Sequence, residues 1–238
     1  MTVTLTVVSS MRMSRRCRRC AASRSLGDVL LLLVRHGLTD LTATRLIGRL
    51  PGIDLNARGV EQATEAAAML SPLPVMAIYS SPLERTMQTA APLAAAKGLA
   101  VTPLPGLLEV DYGEWAGQEY KVLQKTDTWK EVQQQPSRAR FPAGEAVREA
   151  QARVVATIEE LVVRHPLDTI AAFSHADMIK LAVAHYIGMP LDTYQRTTVG
   201  PGSVTAIHLG KGSAVLVRLG ATASLDDLKP APPRRRKN

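Results

Sequence analysis

Hydrophobic residues in this chain occur in short runs that alternate with segments of helical spacing. Val29–Val34 is a continuous apolar run, as expected for a β-strand that is covered on both faces. Val75–Tyr79 and Thr169–Phe173 are shorter runs of the same kind. Between the first two runs, the residues from Asn56 to Leu70 place alanines and leucine on one helical face, with Asn56 as N-cap. This alternation predicts an α/β domain.

A second helix is predicted directly after the Val75–Tyr79 strand. Ser81-Pro82-Leu83-Glu84 has the features of a helix start, with Ser81 as N-cap, proline at the first position and Glu84 completing a capping box. Gly98 is a C-terminal signal for this helix. The remaining predicted elements are strands at 100–104 and 107–110, helices at 118–134, 145–164 and Ala176–Ile187, and a hairpin of Ser203–Leu209 with Ala214–Leu219.

The length of 238 residues fits one core domain with appendages, and the positive charge lies in the appendages. The formal net charge is +8, but residues 1–27 hold six arginines and no acid, and residues 221–238 hold five basic residues and two acids. Between 28 and 220, 18 basic residues are balanced by 19 acidic ones. We therefore predict a nearly neutral domain at 28–220 between two basic ends that are expected to be disordered.

For the N-terminal segment 1–27, we favour a solvated tail without function. Three other interpretations are a transit peptide, a secretory signal and a start codon placed upstream of the true start. Its composition fits a transit peptide, its basic cluster follows the apolar stretch and so makes a poor secretory signal, and Met11 or Met13 fits a later start codon. Cys17 and Cys20 form a lone CxxC, whereas a structural zinc site needs four ligands. We therefore expect no metal site in this segment.

The composition of the chain argues against a membrane span and against a dedicated nucleic-acid site. Its apolar runs are all shorter than 18 residues, so we expect no membrane span. No aromatic residues are interleaved with the basic ends, so we expect no dedicated nucleic-acid site. We expect a cytoplasmic protein and leave the formation of a homodimer open.

Polar clusters follow three of the predicted strands and indicate where the chemistry takes place. They are Arg35-His36-Gly37, the stretch from Ser80 to Thr86 that contains Arg85, and Ser174-His175-Ala176. Ligands of open α/β sheets bind at the carboxyl ends of strands, and helix N-termini attract anions. Two arginines and two histidines meeting there predict a site for a dianionic group such as phosphate. The chain has no P-loop, no GxGxxG after a strand and no HExxH, so nucleotide cradles and zincin sites are unsupported.

Four motifs in order along the chain resemble the histidine phosphatase superfamily, the phosphoglycerate mutase-like enzymes. They are LVRHGLT at 33–39, SPLERTMQTA at 81–90, LEVDYGEWAG at 108–117 and FSHA at 173–176. The resemblance covers residues 29–209, and RHGLTDLT is similar to a bacterial branch labelled phosphomutase. It implies a three-layer α/β sandwich in which helices cover both faces of a mostly parallel central sheet.

The resemblance also implies roles for five residues. His36 would be the nucleophile that accepts the phosphoryl group, which requires a neutral imidazole held at its other nitrogen. Arg35 and Arg85 would bind the phosphate oxygens, and His175, protonated when phosphate is bound, would add a third cation. Glu109 would be the general acid that protonates the leaving oxygen and then activates water, with the nearby Asp111 or Glu114 as the alternative. No metal and no cofactor are implied, because arginines and histidine supply the positive charge.

Two departures from the family pattern concern the loop after the first motif. Thr42 stands where the family often has a phosphate-binding asparagine, and Thr39 is present as in many members, so both are candidate substrate-binding residues. The family's Gly-Arg-x-Gln-Gly stretch is replaced here by residues 45–49. Arg49 in this stretch is either a substrate cation or a solvated loop arginine. Residues 138–145 form either a pocket wall or an ordinary helix entry.

The resulting hypothesis is a phosphatase that acts on a small phosphorylated metabolite through a phosphohistidine. A phosphoglycerate-type mutase, which uses the same residues, is the alternative. The stretch from Gly113 to Gly117 favours hydrolysis, because it resembles the phosphatase branches. A non-catalytic binding protein on this fold is the third hypothesis, and it would predict loss of at least one of Arg35, His36, Arg85 or His175.

Overall fold

The computed structural model describes residues 28–210 and 212–224. The N-terminal segment with Cys17 and Cys20, and the basic tail from residue 225 onward, lie outside the described residues. The strands of the described part are β1 (Val29–Arg35), β2 (Val75–Ser80), β3 (Val101–Pro103), β4 (Thr169–Ser174), β5 (Val204–Gly210) and β6 (Ser213–Ala221).

These strands form a single sheet in the order β3-β2-β4-β1-β5-β6. The first four strands are mutually parallel, whereas β5 is antiparallel to β1 and β6 is antiparallel to β5. The prediction of a mostly parallel sheet is confirmed. The predicted terminal hairpin is also present, and β6 extends to Ala221.

Helices cover both faces of this sheet. They are α1 (Ala57–Leu70), α2 (Glu84–Lys97), α3 (Tyr120–Leu123), α4 (Asp127–Gln134), α5 (Val147–Arg164) and α6 (Ala176–Tyr186). In β1, Leu31 and Leu33 belong to the core cluster that includes α5 and α6, while Leu32 and Val34 belong to the cluster that includes α1 and α2. Because side chains alternate along a strand, one apolar run supplies both cores. No helix in the described residues combines the length and the apolar character needed to cross a bilayer.

The loop after β1 and the start of α1 touch through two glycines. A Cβ on Gly37 would lie 2.5 Å from the carbonyl oxygen of Gly59, and a Cβ on Gly59 would lie 2.0 Å from that of Leu38. Either contact is far inside van der Waals distance, so only glycine fits both positions. Asn56 caps α1 as predicted, since its Oδ1 accepts from the Gly59 amide at 2.9 Å.

Two sequence predictions of secondary structure were wrong. Residues 107–110 are not a strand: a 3₁₀ turn covers Pro105–Leu107, and the carbonyls that follow bind side chains instead of a neighbouring strand. The predicted helix at 118–134 is two short helices, α3 and α4. Thr126 separates them, because its hydroxyl accepts from the Trp129 amide at 3.1 Å and so caps α4.

The predicted start of the second helix was also wrong. Helix α2 begins at Glu84, its N-cap is Leu83, and no side chain caps it. The Ser81 hydroxyl instead lies 2.9 Å from Nε2 of His175. A residue that fits a helix cap by sequence therefore serves a contact between the ends of two strands.

Candidate active site

The sheet order brings the three polar clusters together at one edge. Because β4 lies between β1 and β2, the register places Arg35 beside Ser174 and Ser80 beside Phe173. His36 directly follows β1 and His175 directly follows β4, and their ring centroids are 5.3 Å apart. Non-local strand pairing, and not spacing along the chain, creates this arrangement.

A cavity of about 380 Å³ opens at this edge of the sheet. Arg35, His36, Arg85 and Glu109 all line it, and Thr42 lines it on the side of the loop after β1. The rest of the lining is aromatic, polar and charged; it includes Tyr112, Tyr120, Trp129, Phe141, Gln124, Gln133, Gln195 and the ion pair of Asp177 with Lys180. The cavity therefore combines two arginines with a mixed lining, and its volume is large enough for a small organic ester.

His36 is held in the protonation state that a nucleophile requires. Its Nδ1 lies 2.7 Å from the carbonyl oxygen of Gly37, and a carbonyl can only accept, so Nδ1 carries the proton. The lone pair is therefore on Nε2. Burial, followed by the charges of Arg35 and Arg85, lowers the pKa of His36 to about 3. The imidazole is neutral at physiological pH.

Arg35 and Arg85 each have one unused donor in the interior. Arg35 donates through Nη1 to the carbonyl of Val199 at 2.8 Å, and Arg85 donates through Nη2 to that of Gly48 at 2.6 Å. The Nε atoms of both arginines are buried and have no hydrogen-bond partner among the described residues. Burial lowers the pKa of both guanidiniums, while the carboxylate of Glu109 opposes that shift. Unpaired buried N–H groups are costly, and a bound anion would satisfy them.

His175 is fully buried between Ser81 and Arg85. Its Nε2 lies 2.9 Å from Oγ of Ser81, and its Nδ1 lies 3.4 Å from Nη2 of Arg85. Burial, followed by the positive charge of Arg85, holds its pKa well below the ordinary value for histidine. His175 is thus neutral in the absence of phosphate. The sequence-based expectation of a protonated His175 concerned the phosphate-bound state, in which a dianion would raise this pKa.

Glu109 has the shift expected of a general acid. Its side chain is buried, its Oε1 accepts from the Val110 amide at 2.9 Å, and burial together with the charge of Asp177 raises its pKa to about 7. Burial alone would raise the pKa of Asp177 as well, but an ion pair with Lys180 at 2.7 Å and a hydrogen bond from Tyr112 lower it. Asp177 therefore keeps the negative charge, and Glu109 holds a proton near neutral pH.

The two candidate threonines bind to each other. Oγ1 of Thr39 lies 2.9 Å from Oγ1 of Thr42, and the Thr39 amide donates to that same Thr42 oxygen at 3.1 Å. Of the two, Thr42 lines the cavity, while Thr39 is 2% exposed and contacts Thr42 through these hydrogen bonds.

Arg49 follows neither of its two predicted roles. Its Nε donates to the carbonyl of Glu109 at 2.8 Å, and its Nη atoms contact Asp111 and Glu145. It therefore holds the segment that carries Glu109. Glu145 accepts hydrogen bonds from Arg49 and from the Asp111 amide and does not line the cavity, whereas Phe141 of the 138–145 segment does.

Sequence reasoning did not single out Asp177 or Lys180, which line the cavity. It included Ser81 in the polar cluster from Ser80 to Thr86 but gave it the role of a helix cap. Asp177 had a usable signal, because it lies in the first turn of a helix that starts directly after a strand-end histidine. Among the described residues, no group of three or more His, Cys, Asp or Glu side chains is arranged to hold a metal ion.

Known proteins share both the sequence pattern and the fold of this chain. A family model described as histidine phosphatase superfamily (branch 1) matches residues 31–222. Phosphoserine phosphatase 1 of Hydrogenobacter thermophilus is 30% identical over 204 residues, which are 84% of this chain and 95% of that protein. Adenosylcobalamin/alpha-ribazole phosphatase of Escherichia coli is 27% identical over 198 residues, which are 81% of this chain and 96% of that protein.

Solved structures agree at the level of the fold. YhfR of Bacillus stearothermophilus superimposes with a TM-score of 0.77 at 24% identity, covering 82% of this chain and 98% of that one. At this identity the likeness concerns the fold alone, and it agrees with the three-layer arrangement described above.

Proposed function

The chain belongs to the histidine phosphatase superfamily and is a phosphatase of that type, and we propose that it hydrolyses a small phosphate monoester through a phosphohistidine on His36. The observation that carries this proposal is the bond between Nδ1 of His36 and the Gly37 carbonyl at 2.7 Å. That bond leaves the lone pair on Nε2 of a neutral imidazole, which is the form that attacks phosphorus.

In the first step, Nε2 of His36 attacks phosphorus and the bond between phosphorus and the ester oxygen breaks. Arg35 and Arg85, with their unpaired Nε donors, bind the non-bridging oxygens, whose negative charge is spread in the transition state. The proton of the Glu109 carboxyl passes to the leaving oxygen, so an alcohol departs and Glu109 becomes a carboxylate.

In the second step, water replaces the alcohol. The Glu109 carboxylate takes a proton from water while the water oxygen attacks phosphorus. The bond between Nε2 and phosphorus breaks, and inorganic phosphate leaves. His36 returns to its neutral form and Glu109 to its protonated form, so the cycle closes without a further reactant.

The test of the nucleophile is His36→Ala, with turnover of p-nitrophenyl phosphate as the measurement. Hydrolysis should fall by at least about 10³-fold, because no other described side chain combines a free lone pair with this position. His208→Ala is the matched control, since His208 is exposed on β5 and should retain full activity. A chelator should have no effect, because arginines and histidine supply the positive charge. A His36→Ala enzyme that keeps its activity would disprove this mechanism.

The fate of the phosphoryl group separates a phosphatase from a phosphomutase with the same residues. Incubation with 3-phosphoglycerate and 2,3-bisphosphoglycerate should release free phosphate and form little 2-phosphoglycerate. The names of the two curated relatives, both phosphatases, support hydrolysis. Isomerisation without release of phosphate would favour the mutase instead.

A further inference from the structure

The segment that carries Glu109 is held by side chains and not by a neighbouring strand. Four consecutive carbonyls accept hydrogen bonds from distant side chains. Arg153 donates to the carbonyls of Gly106 at 2.9 Å and Leu108 at 2.8 Å, and the Ser174 hydroxyl donates to that of Leu107 at 2.8 Å. The fourth carbonyl, that of Glu109, accepts from Arg49 at 2.8 Å and from Arg153 at 3.2 Å.

Glu145 joins the two arginines. Its Oε1 accepts from Nη2 of Arg153 at 2.7 Å, from Nη2 of Arg49 at 3.0 Å, and from the Asp111 amide at 2.7 Å. Its side chain is only 15% exposed, so it binds two guanidiniums in a setting where charges are weakly screened. Without this carboxylate, the two like charges would repel each other beside the backbone of Glu109.

The positions of these contacts indicate a role in catalysis in addition to stabilising the fold. They surround the backbone of the one residue that must deliver a proton at a defined point in the cavity, and they leave its carboxyl free apart from the Val110 amide. We propose that Arg49, Glu145 and Arg153 are positioning residues that hold the Glu109 carboxyl within reach of the leaving oxygen. This inference rests on the proposed role of Glu109 as general acid.

A positioning role predicts a dependence on the leaving group. Phenyl phosphate releases a basic phenolate that needs a proton, whereas p-nitrophenyl phosphate releases a stabilised one that hardly does. The values of kcat/KM report the first step alone. In Arg153→Met, the kcat/KM for phenyl phosphate should fall by on the order of 10- to 100-fold more than that for p-nitrophenyl phosphate.

A second, milder variant keeps the test available if Arg153→Met does not fold. Arg49→Met removes one donor to the Glu109 carbonyl from a side chain that is 31% exposed. We define the leaving-group ratio as kcat/KM for phenyl phosphate divided by kcat/KM for p-nitrophenyl phosphate. Arg49→Met should lower this ratio, as Arg153→Met does. Arg49→Lys retains a donor and should recover part of the loss. Arg140→Met is the matched control, because Arg140 binds the neighbouring Gly144 carbonyl and Glu149 but not residues 106–109. Its ratio should stay at the wild-type value.

Combination with Glu109→Gln separates the two hypotheses. If the arginines act through Glu109, Arg49→Met should leave the leaving-group ratio unchanged in the Glu109→Gln background. A Glu109→Gln enzyme with the wild-type ratio would instead overturn the acid role itself. A large effect of Glu109→Gln, together with equal losses on both substrates in Arg49→Met and Arg153→Met, would overturn the positioning proposal alone.

Discussion

Burial shifts the pKa values of the proposed nucleophile and the proposed general acid in opposite directions. It lowers the pKa of His36 to about 3 and raises that of Glu109 to about 7, because an apolar setting penalises the charged form of each group. The result is a neutral nucleophile and a protonated acid in the same cavity at neutral pH. Pairs of groups whose environments push them apart in this way mark acid and base assignments.

The pH dependence of phenyl phosphate hydrolysis follows from the raised pKa of Glu109. The protonated form is the active one, so kcat/KM should level off more than about one unit below pH 7, decline through neutral pH and approach a tenfold fall per unit well above it. Titration of His36 does not change kcat/KM near neutral pH, because its lowered pKa keeps the imidazole neutral throughout this range. A pH series of initial rates on the wild type and Glu109→Gln checks this.

Two control experiments test whether Glu109 causes the fall in kcat/KM above pH 7. p-Nitrophenyl phosphate, which needs little proton transfer, should lack the fall above pH 7, and Glu109→Gln should lack it with phenyl phosphate. The same decline in the Glu109→Gln enzyme would assign it to another group.

At the scale of elements, strand ends position the chemistry and helix starts support it. β1, β2 and β4 are adjacent, so Arg35, His36, Arg85 and His175 converge although 140 residues separate the first from the last. The loop after β1 reaches this position only because Gly37 and Gly59 let it touch α1. The first motif therefore needs its glycine for packing as well as for the site.

Gly59→Ala should destabilise the protein despite alanine's better helix propensity. Its Cβ would lie 2.0 Å from the backbone oxygen of Leu38, and backbone cannot move aside cheaply. We expect the free energy of unfolding to fall by about 1–3 kcal/mol, measured by urea denaturation. Gly200→Ala is the control, since nothing lies within 4 Å of its Cβ. Equal stability of both variants would contradict the close approach.

Prediction from sequence succeeded for elements with strong local signals and failed where side chains replaced backbone partners. β1, α1 and β4 have continuous or periodic apolar patterns and were predicted nearly to the residue. The segment 107–110 has strand-like residues, but Arg153 binds its carbonyls from α5, 44 residues or more away. Ser81 satisfies the rule for a helix cap, yet its hydroxyl contacts His175, which directly follows β4. No local pattern contains such partners.

At the scale of the whole molecule, charge and catalysis are separate. The residues that line the cavity lie between Arg35 and Gln195, while the excess of basic residues lies at 1–27 and 221–238. Residues 28–224 hold 18 basic and 19 acidic residues. In the proposed mechanism, the positive charge that binds phosphate is therefore local to Arg35, Arg85 and, with phosphate bound, His175.

A protein truncated to residues 28–224 should keep its activity and lose its basic character. The cut preserves β6, which pairs with Val204 as far as Ala221. We expect kcat/KM for p-nitrophenyl phosphate to stay within about 2-fold of the full chain, because every site residue is retained. Isoelectric focusing should show a marked fall from the full-length pI of about 9.8. A tenfold loss of activity would show that an end contributes to the site.

The sequence by itself determined the α/β class, most of the strands and helices, and the candidate site residues, because apolar periodicity and motif order are local properties of the chain. Only the tertiary structure decided how those residues are arranged. It put the rings of His36 and His175 5.3 Å apart and set the protonation states of His36 and Glu109 by burial. It also placed Arg49 and Arg153, which Glu145 joins, at the carbonyl of Glu109. Burial and long-range hydrogen bonds depend on which distant segments meet, and that is settled by the folded sheet.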